Sequence, residues 1–175
     1  SYHENGKIRN EGNYKKGKAK GEWTEFHENG QIKSIGNLKD GKEDGIYSSY
    51  HENGKLESEG KYKDGNKGGE WVNYYENGQI KEEGNYINEN YYIINGWNEN
   101  GELFVKDGKG EYTSYHENGK IENEGNFKDG RQDGEWIKYF ENGQKSGAGN
   151  FKDGKQDGEW VNYYENGQIE RTANY

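Results

Sequence analysis

The chain has 175 residues and a net charge of −9, with 33% charged residues and neither Cys nor Met. Without Cys it has no disulfide framework or thiolate metal site, and its acidic balance disfavours nucleic acid and anionic lipid, whose phosphates repel carboxylates. No apolar run approaches the ~20 residues that span a membrane. The lack of Met predicts a processed chain or part of a longer one, so a removed signal peptide is compatible with the sequence and the compartment stays open.

Only 26% of the residues are apolar, but 15% are aromatic and the sequence repeats itself. The triplet Glu-Asn-Gly occurs eight times, mostly 24 residues apart. Its asparagines are Asn5, Asn29, Asn53, Asn77, Asn100, Asn118, Asn142 and Asn166. Low hydrophobicity alone would favour disorder, but so strict a period indicates an ordered repeat protein. We therefore expect a folded array without a thick core.

Each unit carries two turn signals between runs of alternating residues. Asn-Gly predicts a two-residue type I′ hairpin turn, in which both central residues take φ > 0. Asp-Gly serves the other end of the hairpin, with Lys16-Gly17 in its place in the first unit. The aspartates are Asp40, Asp64, Asp107, Asp129 and Asp153. Two turns per unit leave no room for a helix, so the prediction is an all-β fold: an elongated single-layer antiparallel β-meander of tandem 24-residue hairpin repeats, with residues 1–175 forming one array of seven to eight units.

The period fails once, in an irregular unit at residues 87–110. No Asp-Gly follows Tyr86, and the next unit is about six residues shorter than the others. Loss of an even number of residues preserves the facing of a strand while it shortens a hairpin. The segment is therefore interpreted either as a tolerated irregularity or as a bend or docking point.

Alternation sorts the side chains of the unit around Asn77 onto two faces. A two-residue turn would place Trp71 opposite Gly84 and Tyr75 opposite Ile80. A longer turn with a bulge would change these pairs but not the alternation within a strand. The residues predicted to be structural are Trp23, Trp71, Trp136 and Trp160, with the turn glycines Gly30, Gly54, Gly78, Gly143 and Gly167.

The other face carries one aromatic residue in every unit. An exposed row of this kind would offer a partner large contact area at low entropic cost. The alternative is that the rings stack on neighbouring strands and only hold a thin sheet together. The candidate partner-binding residues are Tyr50, Tyr74, Trp97, Tyr115, Tyr139 and Tyr163.

Repeated histidines suggest a metal site and repeated glutamates suggest acid–base catalysis, but the spacing of these residues argues against both. Equivalent atoms such as those of His3, His27 and His51 lie ~10 Å apart in successive hairpins, whereas zinc ligands lie ~2 Å from one ion. We expect these rings to fill an aromatic slot and no metal or cofactor to bind. The glutamates before each Asn-Gly should pair with the lysines that follow the turns, and a carboxylate repeated along an array is not a convergent catalytic pocket. The chain is therefore predicted not to be an enzyme.

The repeat resembles the bacterial variant of the MORN (membrane occupation and recognition nexus) repeat. The residues that carry the likeness in one unit are Gly149, Phe151, Gly154, Gly158, Trp160, Tyr163, Tyr164, Asn166 and Gly167. The resemblance implies an elongated single-layer sheet that acts as a scaffold for protein or lipid contact. Many proteins with this variant are labelled as antitoxins of toxin–antitoxin pairs, so it implies an antitoxin or immunity factor in the bacterial cytoplasm or cell envelope.

Three functions are compatible with the sequence. The first is a non-catalytic protein-binding scaffold whose partner is basic, with a toxin as the sharpest version. The second is a carbohydrate or cell-wall binder, because aromatic hairpin repeats of cell-wall-binding proteins are distantly similar. The third is self-association through open sheet edges into a fibre. Direct lipid binding ranks last because of the acidic charge.

Overall fold

A computed structural model describes residues 1–175 as fifteen β-strands without a helix. The chain therefore contains no helix that could cross a membrane. In order along the chain the strands are β1 (Asn10–Lys15), β2 (Lys18–Phe26), β3 (Ile32–Lys39), β4 (Lys42–Tyr50), β5 (Leu56–Lys63), β6 (Asn66–Tyr74), β7 (Ile80–Ile87), β8 (Asn90–Trp97), β9 (Leu103–Val105), β10 (Gly110–Tyr115), β11 (Ile121–Lys128), β12 (Arg131–Tyr139), β13 (Lys145–Lys152), β14 (Lys155–Tyr163) and β15 (Ile169–Asn174).

The strands follow one another in chain order, which confirms the predicted antiparallel meander. They form two sheets, of strands β1–β9 and β10–β15. The division falls in the irregular unit, where β9 has only three residues and the next turn is closed by an isolated bridge between Lys106 and Lys109. By contacts the chain has two compact units: unit 1 comprises residues 1–92 and 96–102, and unit 2 comprises residues 93–95 and 103–175.

Glycines and large aromatic rings alternate across each sheet. Trp71 pairs with Gly84, as predicted, but its indole leans the other way and covers Gly60 of the preceding strand. The same arrangement recurs in unit 2, where a Cβ added to Gly149 would lie 2.5 Å from the Trp160 ring. Only glycine leaves room for a ring to lie on the backbone of the neighbouring strand.

The rings on this side, which we call the tryptophan face, also contact one another. In unit 1 the Trp71 centroid lies 5.4 Å from that of Tyr62 and 5.9 Å from that of Tyr86, both with the rings edge to face. In unit 2 the series continues through Phe127, Trp136, Phe151 and Trp160 at 5.2–5.9 Å. Trp71, Trp136 and Trp160 are at most 4% exposed, and with Val105 they are the buried apolar side chains. This ladder of rings takes the place of a thick core.

The Asp-Gly turns have the predicted conformation. Both central residues take positive φ, for example 52° at Asp40 and 85° at Gly41. In the irregular unit Asn88 and Glu89 adopt the same conformation, at 49° and 65°. A tight turn is therefore present there without its sequence signal.

The prediction of a type I′ turn at Asn-Gly is wrong. Only the glycine has positive φ, 92° at Gly30, and the turn spans five residues. Gly30 N–H donates to the carbonyl of His27 at 2.9 Å, and His27 N–H donates to that of Gln31 at 2.8 Å. This is a type I turn followed by a left-handed glycine, the three-residue hairpin loop. Asn29 caps it, because its Oδ1 accepts from Gln31 N–H at 2.8 Å.

The longer turn corrects the predicted pairing of Tyr75 with Ile80. Ile80 instead pairs with Tyr74, and Asn73 pairs with Glu82, so Lys81 is left without a partner in the ladder. The extra residue is a β-bulge on the strand that follows the turn. We call this place the bulge position; in the other hairpins it is occupied by Lys33, Glu57, Glu122, Ser146 and Glu170.

Hydrogen bonds join six of the eight Asn-Gly turns to the turn of the next repeat. The Asn29 side-chain amide donates to the Glu52 carbonyl at 2.8 Å, and the Asn53 amide donates to that of Glu76 at 2.9 Å. At the opposite rim, Gly65 N–H of the Asp-Gly turn donates at 2.8 Å to the carbonyl of Glu43, near the start of β4 and next to the preceding Asp-Gly turn. Each repeat is therefore fastened to its neighbours at both rims as well as through the ladder.

The close approach of Trp71 to Gly60 predicts a large effect of a single methyl group. Gly60→Ala should lower the free energy of unfolding by about 1–3 kcal/mol because the Cβ would overlap the indole. Gly68→Ala, in the same hairpin, is the matched control, since its Cβ would meet nothing within 4 Å and its φ is not positive. The control should be neutral or stabilising by up to about 1 kcal/mol. Urea denaturation of both variants checks this, and equal effects would contradict the packing argument.

The fastening of the turns predicts a difference between two asparagines. Asn53→Ala removes a bond within its own turn and the bond to Glu76, whereas Asn166→Ala removes only the bond to Gln168 N–H. Asn53→Ala should therefore lower the free energy of unfolding by about 0.5–1.5 kcal/mol more than Asn166→Ala. Denaturant titration gives both values; no difference would mean that the contact between repeats contributes nothing.

Candidate functional site

The predicted aromatic row lies on the side of the sheets opposite the tryptophan face, which we call the tyrosine face. Strand alternation places Tyr74 with Val72 and away from Trp71. The Tyr74 hydroxyl confirms this placement, because it donates to Glu59 of the preceding strand at 2.7 Å. In unit 2 the Tyr139 hydroxyl donates in the same way to Glu124 at 2.5 Å.

The rings of this row do not stack on other rings. The ring contacts of both units lie on the tryptophan face, and none involves Tyr50, Tyr74, Trp97, Tyr115, Tyr139 or Tyr163. Five of these six side chains are half-buried, and Tyr115 is 61% exposed. The rings are therefore held in place by their strands and, at Tyr74 and Tyr139, by hydrogen bonds to carboxylates. Part of each ring stays open to solvent.

The carboxylates beside the row perturb the tyrosines that they bind. The hydrogen bond to Glu124, followed by partial burial, raises the pKa of Tyr139 to about 12. Burial and then the bond to Glu59 raise the pKa of Tyr74 to about 12. Both hydroxyls thus remain protonated donors at all physiological pH values.

The surroundings of the row in unit 2 are acidic with a small apolar centre. Four residues before Tyr139 and Tyr163, and on the same face of each strand, are the exposed carboxylates of Glu135 and Glu159. Ile137, half-buried, lies on the same face and pairs with Glu124 of β11 and Ala148 of β13. Lys145 pairs with Tyr139, so carboxylates are in excess but are not the only charges of the face. Aromatic and apolar side chains among mainly acidic groups suit a partner of the opposite charge.

The histidines bind backbone carbonyls rather than merely filling a slot, which corrects the sequence interpretation. His27 Nε2 lies 2.7 Å from the carbonyl oxygen of Tyr50, and His51 Nε2 lies 3.0 Å from that of Tyr74. His3 and His116 make the same bond. A carbonyl can only accept, so Nε2 carries the proton in each ring. These bonds position the backbone of the tyrosine row; no group of three or more His, Asp or Glu is arranged to hold a metal ion.

The predicted pairing of lysines with the turn glutamates is wrong. Lys55 Nζ donates to the Asn77 carbonyl at 2.8 Å, and Lys120 Nζ donates to that of Asn142 at 2.9 Å. A salt bridge is present elsewhere, between Lys63 and Asp44 at 3.1 Å. The lysines therefore strengthen the contacts between turns and leave the turn carboxylates exposed to solvent.

The perturbed tyrosines predict a pH dependence at the alkaline end. Because folding raises the pKa of Tyr139 from its ordinary value near 10 to about 12, the stability linked to it is present below the lower value and is lost as the pH rises through the upper one. Tyr139→Phe should remove one late-ionising group from an ultraviolet titration of tyrosinate, and the free energy of unfolding should fall less steeply over this range. An unchanged titration would contradict the Tyr139–Glu124 bond.

Comparison with known proteins identifies the repeat. Seven segments match the model of the MORN repeat variant. They are residues 1–16, 19–40, 43–64, 67–88, 109–129, 132–153 and 156–175. The unmatched stretch between the fourth and fifth segments lies within the irregular unit. The comparison with curated proteins gives no match. Because the matched segments span most of its length, the chain belongs to the MORN repeat variant family.

Proposed function

We propose that this chain is a non-catalytic scaffold that binds a basic protein partner through its tyrosine face. MORN repeats are generally associated with scaffolds that bind proteins or membranes. The net charge of −9 favours a protein over an anionic membrane surface, because carboxylates attract a basic partner and repel lipid phosphates.

The observation that carries the proposal is the tyrosine row without ring contacts. On the tryptophan face the aromatic rings are buried against each other and against glycines. On the tyrosine face the rings of Tyr139 and Tyr163 have no such partners, and the Tyr139 hydroxyl binds the carboxylate of Glu124. Tyrosine is enriched among residues that dominate binding energy. A partner's arginine could stack on the Tyr139 ring and bind the Glu124 carboxylate at the same time.

A catalytic role is not proposed because the charged groups are arranged in series. Each hairpin of unit 2 repeats the same combination of strand glutamate and tyrosine, at Glu111, Glu135 and Glu159. Catalysis needs different groups that converge on one reacting atom. Repetition instead multiplies one weak contact along a partner's surface, so that binding sites held in a fixed geometry reinforce one another.

The more specific form of the proposal is an antitoxin or immunity factor of a bacterium. In that role the scaffold would cover a basic surface of a toxin and keep it from its target. The acidic tyrosine face supports such a role, since a toxin that acts on an anionic target needs a basic surface of its own.

The test begins with the protein purified from its own cells together with any companion recovered in equal amount. Tyr163→Ala should weaken binding of that companion about tenfold or more, as expected for a tyrosine at the centre of an interface. The matched control is Tyr164→Ala, which removes the neighbouring ring, 50% exposed but outside the row. Calorimetry with the purified companion gives both affinities. Equal effects of the two variants would contradict the tyrosine face as the binding surface.

Growth assays decide between the general and the specific form. A companion that stops growth when produced alone, and not when produced with this chain, would support the antitoxin. A harmless basic companion would support the general proposal of a scaffold and would contradict the antitoxin role. Recovery of the chain alone, or of its own polymers, would contradict both forms.

A further inference from the structure

Two adjoining grooves lie along the rim of unit 1 that carries the Asn-Gly turns, and the second extends onto the tryptophan face. Their volumes are about 520 and 670 Å³, within the range of ligand sites. They share His27, Lys33 and Glu52, so that one continuous channel crosses successive repeats. The rings of Tyr47 and Tyr62 line the second groove.

Charged side chains line this channel, and except for Lys67, which lies over the Trp71 ring, they have no partner within the chain. Its cations are Arg9, Lys33 and Lys67, and its glutamates are Glu4, Glu25, Glu28, Glu52, Glu57 and Glu76. None of these side chains forms a salt bridge or a hydrogen bond within the chain. Lys67 lies 4.0 Å above the Trp71 ring, and burial lowers its pKa. Charges that a groove leaves unpaired are available to a ligand.

Four of these glutamates occupy the same place in four successive repeats. They are Glu4, Glu28, Glu52 and Glu76, each directly before an Asn-Gly turn. The asparagine of the preceding turn holds the backbone of the last three, as Asn5 does for Glu28 at 3.0 Å. Two strands per repeat set the interval between them at ~10 Å. Three residues of a peptide in the polyproline II conformation cover about the same distance, at ~3.1 Å each, and complete one turn, so that every third side chain points to the same side.

We propose that this channel binds a basic segment of a protein in the polyproline II conformation, with a lysine or arginine at every third residue facing one glutamate of this series. The spacing of the repeats and the spacing of the peptide then stay in step from Glu4 to Glu76. Tyr50 of the tyrosine row also lines the second groove, whereas Tyr139 and Tyr163 belong to unit 2. The channel therefore gives the scaffold a second contact in addition to that proposed for unit 2.

The lining favours a peptide over the other ligands of similar size. A saccharide needs hydroxyl partners but gives no counter-ion to so many unpaired carboxylates. A nucleic acid would be repelled by the excess of glutamates. A peptide supplies cations at regular intervals, and its backbone can bind the polar groups of the second groove, among them Ser49, Ser58 and Asn73.

The bulge position sets the local preference within the channel. It holds Lys33 in the second repeat and Glu57 in the third, and both side chains line the grooves. Lys33 therefore opposes a basic segment at the point where the two grooves meet, and Glu57 attracts one. The two residues should act with opposite signs on the same ligand.

The test uses two synthetic peptides of the same length and the same composition, made only of lysine and serine. In the first, lysine occupies every third residue, with one lysine for each of Glu4, Glu28, Glu52 and Glu76. In the second, the same lysines occupy every second residue. Binding to the whole protein, followed by tryptophan fluorescence or calorimetry at physiological salt, should be at least about fivefold tighter for the first peptide, since only it matches the ~10 Å interval. Equal affinities, or no binding of either, would overturn the proposal.

Variants separate a fitted channel from general attraction to an acidic protein. Glu52→Gln should weaken the three-residue peptide about two- to fivefold, the usual effect of one exposed ion pair. Lys33→Gln should strengthen it by a similar factor. Glu159→Gln on unit 2 changes the net charge equally and should leave binding unchanged. If all three variants follow net charge alone, the channel is not the site. If the peptides fail to bind the channel but Tyr163→Ala still weakens binding of the companion, the proposed function stands and only this inference fails.

Discussion

The fold depends on the contact between an indole and the backbone of a glycine in the preceding strand. The chain has few aliphatic residues, so burial of apolar surface has to come from aromatic side chains lying flat on their neighbours. A ring can do so only where the adjacent strand has no Cβ, as at Gly60 beneath Trp71. The glycines that weaken an ordinary strand are in this protein the condition for its packing.

That contact also decides which face can bind a partner. The rings of the tryptophan face pack against one another and hold the strands together, whereas the rings of the tyrosine face are only partly covered. The hydrogen bonds at the rims of the sheets also contribute to this difference between the two faces. Histidine, asparagine and lysine side chains bind carbonyls at or next to the following turn and set the distance between repeats, without using the carboxylates of the turns. Stability therefore comes from glycine, aromatic, amide and lysine groups, and the turn carboxylates remain free.

Much of the fold could be predicted because each sequence pattern occurs again in every repeat. The alternation of residues predicted the two faces correctly. The Asp-Gly pairs predicted their turns correctly, because few turn types other than type I′ have φ > 0 at both central residues. Asn-Gly was misjudged because the asparagine binds outward to the next repeat as well as within its own turn, and the sequence of one hairpin does not show that neighbour. The bulge at Lys81 follows from the same turn. The carbonyl bonds of His27 and His51 were missed because they depend on how closely successive turns approach.

The bulge position gives the array a capacity that regular hairpins lack. Its residue leaves the ladder, and at Lys33, Glu57, Ser146 and Glu170 the side chain forms no hydrogen bond or ion pair within the chain. Lys81, 5.7 Å from the Tyr75 ring, and Glu122, which accepts from Ser114 at 3.1 Å, do have partners. The tryptophan and glycine positions around the bulge barely change along the chain. Most hairpins thus contain one residue that can vary independently of the packing, so that the surface can change for a new partner one repeat at a time while the fold is kept.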